Sequence, residues 1–197
     1  MVRKKKPRNV RASIAERWVS IEGPISAATA TNFEKQLAKL AAHGNSPIVV
    51  FFTSHGGDLS ACLAIYWLII NLVKKQVPVH TVGVATAQSG AFFLLQAGVR
   101  RCATKNTVFR FHRVLRTYHK KVMNSALLEE EVRQLDIIDT ALCKVYVKRS
   151  RHPRTICGLF MRDARINTKT ALKLGLVDAV IPRGSFSRMR ADVLRLS

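Results

Sequence analysis

Two short loops after predicted strands contain the residues best suited to nucleophilic chemistry. Ser89 lies among small residues at positions 86–91, between a predicted strand and a predicted helix. A serine at such a turn can expose its hydroxyl, and backbone N–H groups there can stabilise a developing oxyanion. Gly56 and Gly57 follow another predicted strand, and the N–H groups of Gly57 and Gly90 are the candidate oxyanion donors. A helix N-cap serine and an ordinary tight turn fit the same residues, so both interpretations stay open at this point.

A serine nucleophile needs a base and an acid that orients the base. His112 ends the apolar strand 108–111 and can reach the same sheet edge as Ser89, whereas His55 in the glycine loop is the rival base. Asp163 is the candidate orienting acid, and an ion pair with a neighbouring arginine is its alternative role. Spacing along the chain does not show that these residues meet.

The elements that would position these residues alternate between strands and helices. Apolar and β-branched runs predict the strands, and apolar residues at helical spacing predict the helices. The predicted strands are 18–21, 47–53, 77–86, 106–111 and 176–181, and the predicted helices are 26–42, 59–74, 90–98, 121–148 and 168–174. The alternation predicts an α/β fold of parallel strands with helical crossovers, in which functional residues gather at the carboxyl ends of the strands.

The composition indicates a folded domain with a strongly basic surface. The 197 residues include 33 Lys and Arg against 12 Asp and Glu, a net charge of +21, and 48% of them are hydrophobic. This apolar content is enough to build a core. The charge predicts nonspecific contact with nucleic acid at low salt, although no nucleic-acid-binding motif accompanies it.

The same sequence argues against a membrane span, a secretory signal and a metal site. The longest apolar run, residues 61–73, is shorter than the roughly 20 residues that cross a bilayer. The basic start is followed by no apolar stretch. The four cysteines are widely spaced without a CxxC pair, which is typical of reduced thiols. We therefore expect a cytoplasmic protein with no metal and no cofactor.

The segments that contain these residues resemble a known family, the ATP-dependent Clp protease proteolytic subunit (ClpP) of the Clp/crotonase superfamily. The resemblance extends over about residues 19–182. Residues 53–66 resemble the family's N-S-P-G-G loop and the helix after it. Residues 87–98 resemble its segment A-A-S-M-G-A-F-L-L-A-A-G, and the ungapped alignment places Ser89 on the family's serine.

The histidine and the aspartate of the family also have counterparts here. The family's strand V-M-I-H is similar in character to residues 108–112, which places His112 on its histidine. The family's aspartate lies twelve residues before the glycine of its closing G-L-V-D, which is similar to residues 175–178, and Asp163 occupies that position. Three positions depart from the pattern: His55 replaces a proline, Gly90 replaces a methionine, and Asp58 adds a carboxylate beside the expected oxyanion site.

The resemblance implies one peptidase domain. It covers residues 17–183 with a ClpP/crotonase-like fold and a protruding handle helix at about 115–150, between a basic arm (1–16) and a basic tail (184–197). The implied activity is that of a serine endopeptidase that hydrolyses unfolded polypeptides inside a ring-shaped chamber. The implied site is the triad of Ser89, His112 and Asp163 with Gly57 and Gly90 as backbone oxyanion donors.

The resemblance also implies partners, and it leaves alternatives. The expected assembly is a homo-oligomer of heptameric rings, single or paired, with polypeptide substrates and an AAA+ unfoldase as partner. The first alternative is a catalytically silent or regulatory subunit of the same fold. The others are a crotonase-type acyl-CoA enzyme, a signal-peptide-peptidase-like enzyme with a Ser-Lys dyad, and a nucleic-acid-binding module.

Overall fold

An eight-stranded sheet forms the centre of the computed structural model, which describes residues 9–118 and 122–196. The strands in this part of the chain are β1 (Val10–Ser13), β2 (Trp18–Glu22), β3 (Ile48–Ser54), β4 (Val79–Gln88), β5 (Arg100–Thr104), β6 (Val108–Phe111), β7 (Ala164–Asn167) and β8 (Ala179–Ile181). The helices are α1 (Ala27–Ala42), α2 (Leu59–Lys74), α3 (Gly90–Leu95), α4 (Ser125–Val147), α5 (Pro153–Met161), α6 (Thr168–Lys173) and α7 (Phe186–Arg195).

The topology is that of an α/β fold with parallel central strands. The strand order is β1-β2-β3-β4-β5-β8, and β6 pairs with the last residues of β4 and with β7. The pairings between β2, β3, β4, β5 and β8 are all parallel, as is that of β4 with β6. The strands β1 and β7 are antiparallel to β2 and β6. This architecture confirms the predicted fold class.

The strand β3 is buried on both faces because the sheet lies between two hydrophobic clusters. Ile48, Val50 and Phe52 belong to the larger cluster, which includes residues of α1, α2 and α3. Val49 and Phe51 point to the other face and belong to the cluster that includes residues of α7. A continuous apolar, β-branched run is typical of such a doubly covered strand, so the prediction for this segment is confirmed.

Both ends of the chain carry more structure than the predicted arm (1–16) and tail (184–197). Residues 10–13 form β1 and pair with β2, whereas residues 1–8 lie outside the described part of the chain. Residues 186–195 form α7, in which Met189 and Val193 are buried against the sheet. Although the segment is basic, apolar residues at helical spacing give α7 one side that packs.

The strand β5 is absent from the predicted strands because it begins with two arginines. Arg101 is nevertheless only 2% exposed, since its guanidinium donates to Asp178 at 2.6 and 3.1 Å. Burial raises the pKa of Asp178, but the hydrogen bonds and charge of Arg101 prevail and hold that pKa below its usual range. The aspartate of the closing G-L-V-D segment therefore ties the segment before β8 to β5.

The handle helix is α4, which begins after its N-cap Asn124, a few residues later than predicted. Most of its side chains are exposed. Several are large and apolar: Leu127, Leu128, Val132 and Ile137 are between 48% and 69% exposed. Large apolar side chains exposed on a helix are typical of an interface.

Candidate active site

Ser89 occupies a strained turn between β4 and α3. Its φ is 51° and its ψ is −125°, an uncommon conformation for a residue with a side chain. The turn is held by a hydrogen bond of 2.7 Å from the Ser89 N–H to the carbonyl of Arg110 on β6. The Ser89 side chain makes no capping hydrogen bond to α3, although the residue stands at the N-cap position. The hydroxyl is thus left available on the side of the turn that lines a cavity.

The glycine loop lies directly against this turn. A Cβ on Gly56, whose φ is +97°, would lie 2.7 Å from the Ser89 Cβ, so only glycine fits there. Gly57 lies beside Ile25, whose N–H donates to the Gly56 carbonyl and whose carbonyl accepts from the Asp58 N–H. In such a parallel bridge the N–H of the middle residue, Gly57, points away from the partner strand.

The N–H groups of Gly57 and Gly90 lie close to one another. The nitrogen of Gly57 is 3.8 Å from the place where a Cβ on Gly90 would stand, and both glycines line the cavity. Gly90 begins α3, so its N–H has no acceptor within the helix. Two N–H groups arranged in this way can bind one oxyanion.

Gly90 also has a steric reason to lack a side chain. A Cβ at this position would lie 2.3 Å from the Sγ of Cys62 on α2. Cys62 is buried, and this burial raises the pKa of its thiol to about 12. The buried thiol thus takes the space that a side chain at position 90 would need.

Replacing Gly90 with alanine is expected to destabilise the fold by about 1–3 kcal/mol, because the added methyl overlaps the Cys62 sulfur. Alanine is otherwise the better residue in a helix, so any cost reports the overlap. The measurement is denaturant unfolding of Gly90→Ala, Cys62→Ala and the double variant. We expect the alanine at position 90 to cost less in the Cys62→Ala background, and strictly additive costs would contradict this account.

His112 follows β6 and lines the same cavity as Ser89. The pairing of β6 with β4, which sets Arg110 opposite Gln88, brings these two strand ends together. The Nδ1 of His112 lies 2.6 Å from the carbonyl oxygen of Arg113. Because a carbonyl only accepts, Nδ1 carries the proton of the neutral ring, and Nε2 is left as a proton acceptor.

Asp163 lies just before β7 and is bound by an arginine instead of the histidine. The Arg110 guanidinium donates from Nε to Oδ1 at 2.6 Å and from Nη2 to Oδ2. These bonds lower the pKa of Asp163, with a smaller electrostatic contribution from the nearby His112. The arginine ion pair is thus the role that Asp163 has in this structure, and a contact with His112 needs the carboxylate to turn.

The cavity that joins these residues has a volume of about 480 Å³. Its polar side includes Ser89, His112, Gly57 and Gly90 together with His55, Asp58, Ser60 and Arg116. Its apolar wall consists of Leu59, Phe93, Val114, Leu115, Leu142, Tyr146 and Phe160. Such a wall fits an apolar side chain of a bound substrate.

The unexpected carboxylate at Asp58 has a local function. Its Oδ1 accepts a hydrogen bond of 2.7 Å from the Ala61 N–H and so caps α2. This bond satisfies a helix N–H that has no other partner in the helix. The departure from the family pattern at this position is therefore explained by the start of α2.

The comparison with known families matches the chain to one of them. The family model for Clp protease matches residues 4–184. The chain belongs to the Clp protease family. The resemblance drawn from the four sequence segments is thereby confirmed, and the family supports a Clp protease role for the chain.

Several curated relatives carry the name "ATP-dependent Clp protease proteolytic subunit". The protein from Carsonella ruddii (strain PV) is 27% identical over 173 residues, which are 85% of this chain and 85% of the relative. Those from Sorghum bicolor and Saccharum officinarum are each 29% identical over 141 residues, which are 70% of this chain and 62% of the relatives. This chain therefore diverges considerably from these Clp protease relatives.

Over residues 9–118 and 122–196, no helix is long and apolar enough to cross a membrane. In the same ranges, no group of three or more His, Cys, Asp or Glu side chains is arranged to hold a metal ion.

The sequence alone did not predict two features of the site. The closeness of Cys62 to Gly90 and the bidentate bond between Arg110 and Asp163 both join residues that are far apart in the chain. One sign was available in the strand before His112, where a charged Arg110 stands in an apolar run. A charge at such a position needs a partner, and Asp163 is that partner.

Proposed function

We propose that this chain is the serine peptidase subunit of a Clp-type protease and hydrolyses peptide bonds of unfolded polypeptides. The observation that carries the proposal is the strained turn at Ser89, which lines one cavity with His112, Gly57 and Gly90. A nucleophile, a base and two oxyanion donors around one space are the parts that acyl transfer needs. Membership of the Clp protease family supports the same reaction.

The reaction follows from the roles of these groups. The Ser89 Oγ attacks the peptide carbonyl carbon while His112 Nε2 accepts the hydroxyl proton. The N–H groups of Gly57 and Gly90 stabilise the oxyanion, and His112 then protonates the leaving amine. Water attacks the acyl-enzyme in the same way and releases the acid. Asp163, once turned to His112, orients the ring and stabilises its cation.

The proposal includes an assembly. The apolar side chains exposed along α4 support self-association through the handle, and the family supports rings of identical subunits. A closed ring would confine the sites in a chamber that folded proteins cannot enter. An AAA+ unfoldase that supplies unfolded chains, and a cytoplasmic location, complete the proposed function.

A catalytically silent subunit is the second candidate, and one observation favours it. Asp163 is bound to Arg110, and the His112 Nδ1 is bound to a backbone carbonyl. If this arrangement is permanent, the base lacks its orienting carboxylate. Such a chain would contribute structure or regulation to a mixed ring.

Covalent labelling by a fluorophosphonate probe separates the two candidates. The probe reacts with an activated serine, so intact mass should show one adduct on the assembled protein, and peptide mapping should place it on Ser89. Ser60 lines the same cavity without a strained turn and serves as an internal control. No adduct on a folded, assembled chain would favour the silent subunit.

A further inference from the structure

Arg110 is connected to both ends of the proposed triad. Its carbonyl accepts the Ser89 N–H at 2.7 Å, and its guanidinium holds both carboxylate oxygens of Asp163. Within β6 its side chain alternates with the buried Phe109 and Phe111 and so projects from the opposite face of the strand. It therefore leaves the core and meets Asp163 at the surface.

The second contact that keeps the triad apart is at His112. The Nδ1–H that would bond to Asp163 instead bonds to the Arg113 carbonyl at 2.6 Å. His112 and Asp163 are nevertheless neighbours in the fold, because the antiparallel register that sets Phe111 opposite Ala164 places them just beyond that pair. If Asp163 leaves Arg110 and the His112 Nδ1–H leaves the carbonyl, the two side chains can bond to each other and give the catalytic arrangement.

The bond between Arg110 and Asp163 is of a kind that can exchange. The Arg110 side chain is 32% exposed and that of Asp163 is 48% exposed, so water solvates both groups when they separate. Asp163 has a φ of 54° at the junction of α5 and β7, a conformation that aspartate tolerates better than most residues. A further charge near this carboxylate is Arg165 on β7, which makes a smaller electrostatic contribution and stands opposite Arg110 in the strand register.

We infer that Arg110 is an inhibitory positioning residue, which holds Asp163 away from His112 and so limits the reactivity of Ser89. This inference rests on the proposed serine peptidase function. The orienting carboxylate is shared between two partners: while Arg110 holds it, His112 keeps its carbonyl contact, and when Arg110 releases it, the triad forms.

The test compares the inactivation of Ser89 by a fluorophosphonate in the wild type and in Arg110→Met, read by intact mass. Methionine keeps an unbranched apolar stem and the backbone bond to Ser89 but removes the guanidinium. We expect the maximal inactivation rate to rise about three- to ten-fold, as expected for the loss of a solvated bidentate pair, with an unchanged half-saturating probe concentration. A residue that only supports the fold would not raise this rate.

Two control variants identify the cause of the expected rise in the inactivation rate. Arg165→Met removes the neighbouring positive charge without removing a bond to Asp163, and its rate should stay within about two-fold of the wild type. In the double variant Arg110→Met with Asp163→Asn, the gain should disappear, because the released carboxylate is no longer present. An Arg110→Met rate at or below that of the wild type, or a gain that survives Asp163→Asn, would overturn the inference.

A crystal structure of Arg110→Met gives a result that does not depend on activity. The inference requires the Asp163 carboxylate to move within hydrogen-bond distance of His112 Nδ1, and a carboxylate that stays away from the ring overturns it. If no variant is labelled but the carboxylate has turned, the exchange is supported and the proposed peptidase function fails.

Discussion

Ser89→Ala is expected to lower peptide hydrolysis by about 10⁶-fold, to the level of background cleavage. In the proposed mechanism the hydroxyl at this strained turn forms the acyl-enzyme, and Ser89 lines the cavity together with His112, Gly57 and Gly90. The measurement is the initial rate of cleavage of a short fluorogenic peptide by the purified, assembled protein. Thermal unfolding of the variant should match that of the wild type, because the Ser89 side chain caps no helix.

Ser60→Ala is the matched control for this experiment. Ser60 is an exposed serine on the same cavity, at the start of α2, and its loss should leave the rate within about two-fold of the wild type. A Ser89→Ala variant with wild-type activity would remove Ser89 from the mechanism. Loss of activity in Ser60→Ala alone would assign the nucleophile to the other serine.

His112→Ala is expected to lower kcat/KM by about 10⁶-fold at neutral pH. The loss is large because the serine hydroxyl is a weak nucleophile without a base, and the His112 Nε2 is the acceptor that the carbonyl bond at Nδ1 leaves free. Peptide cleavage measures this loss. The rate of fluorophosphonate labelling of Ser89 should fall in parallel, since it depends on the same proton transfer.

His55→Ala decides between the two histidines of the cavity. His55 is exposed in the glycine loop. Its replacement should change kcat/KM by less than about ten-fold, because in the proposed mechanism His112 and not His55 transfers the proton. A large loss in His55→Ala together with an active His112→Ala would show that the rival histidine is the base. Circular dichroism of both variants controls for folding.

The predictions made from periodicity succeeded where the local pattern and the tertiary environment agree. The helix predicted at 59–74 has those bounds, and the run at 47–53 forms the doubly buried β3. The predictions failed where charge concealed an element. In β5 a buried Arg101 is neutralised by an aspartate far along the chain, and α7 packs through a few apolar residues in a basic sequence. Those compensating contacts exist only once the chain has folded.

For the site, the sequence determined which residue types stand at the ends of the strands. The small residues around Ser89, the glycine pair and the histidine after β6 follow from local chain order, because each lies where a strand ends. Parallel pairing then brings those ends to one edge of the sheet. This is why four of the five predicted site residues, Ser89, His112, Gly57 and Gly90, line one cavity.

Only the tertiary structure decided which partner Asp163 binds. Arg110 and Asp163 are 53 positions apart, and other arginines stand much closer to Asp163 in the chain. The choice depends on the pairing of β6 with β7 and on which guanidinium projects from the outer face of β6 at that point. Hydrogen bonds act over about 3 Å, so their partners are set by the packing of whole elements, which local sequence does not encode.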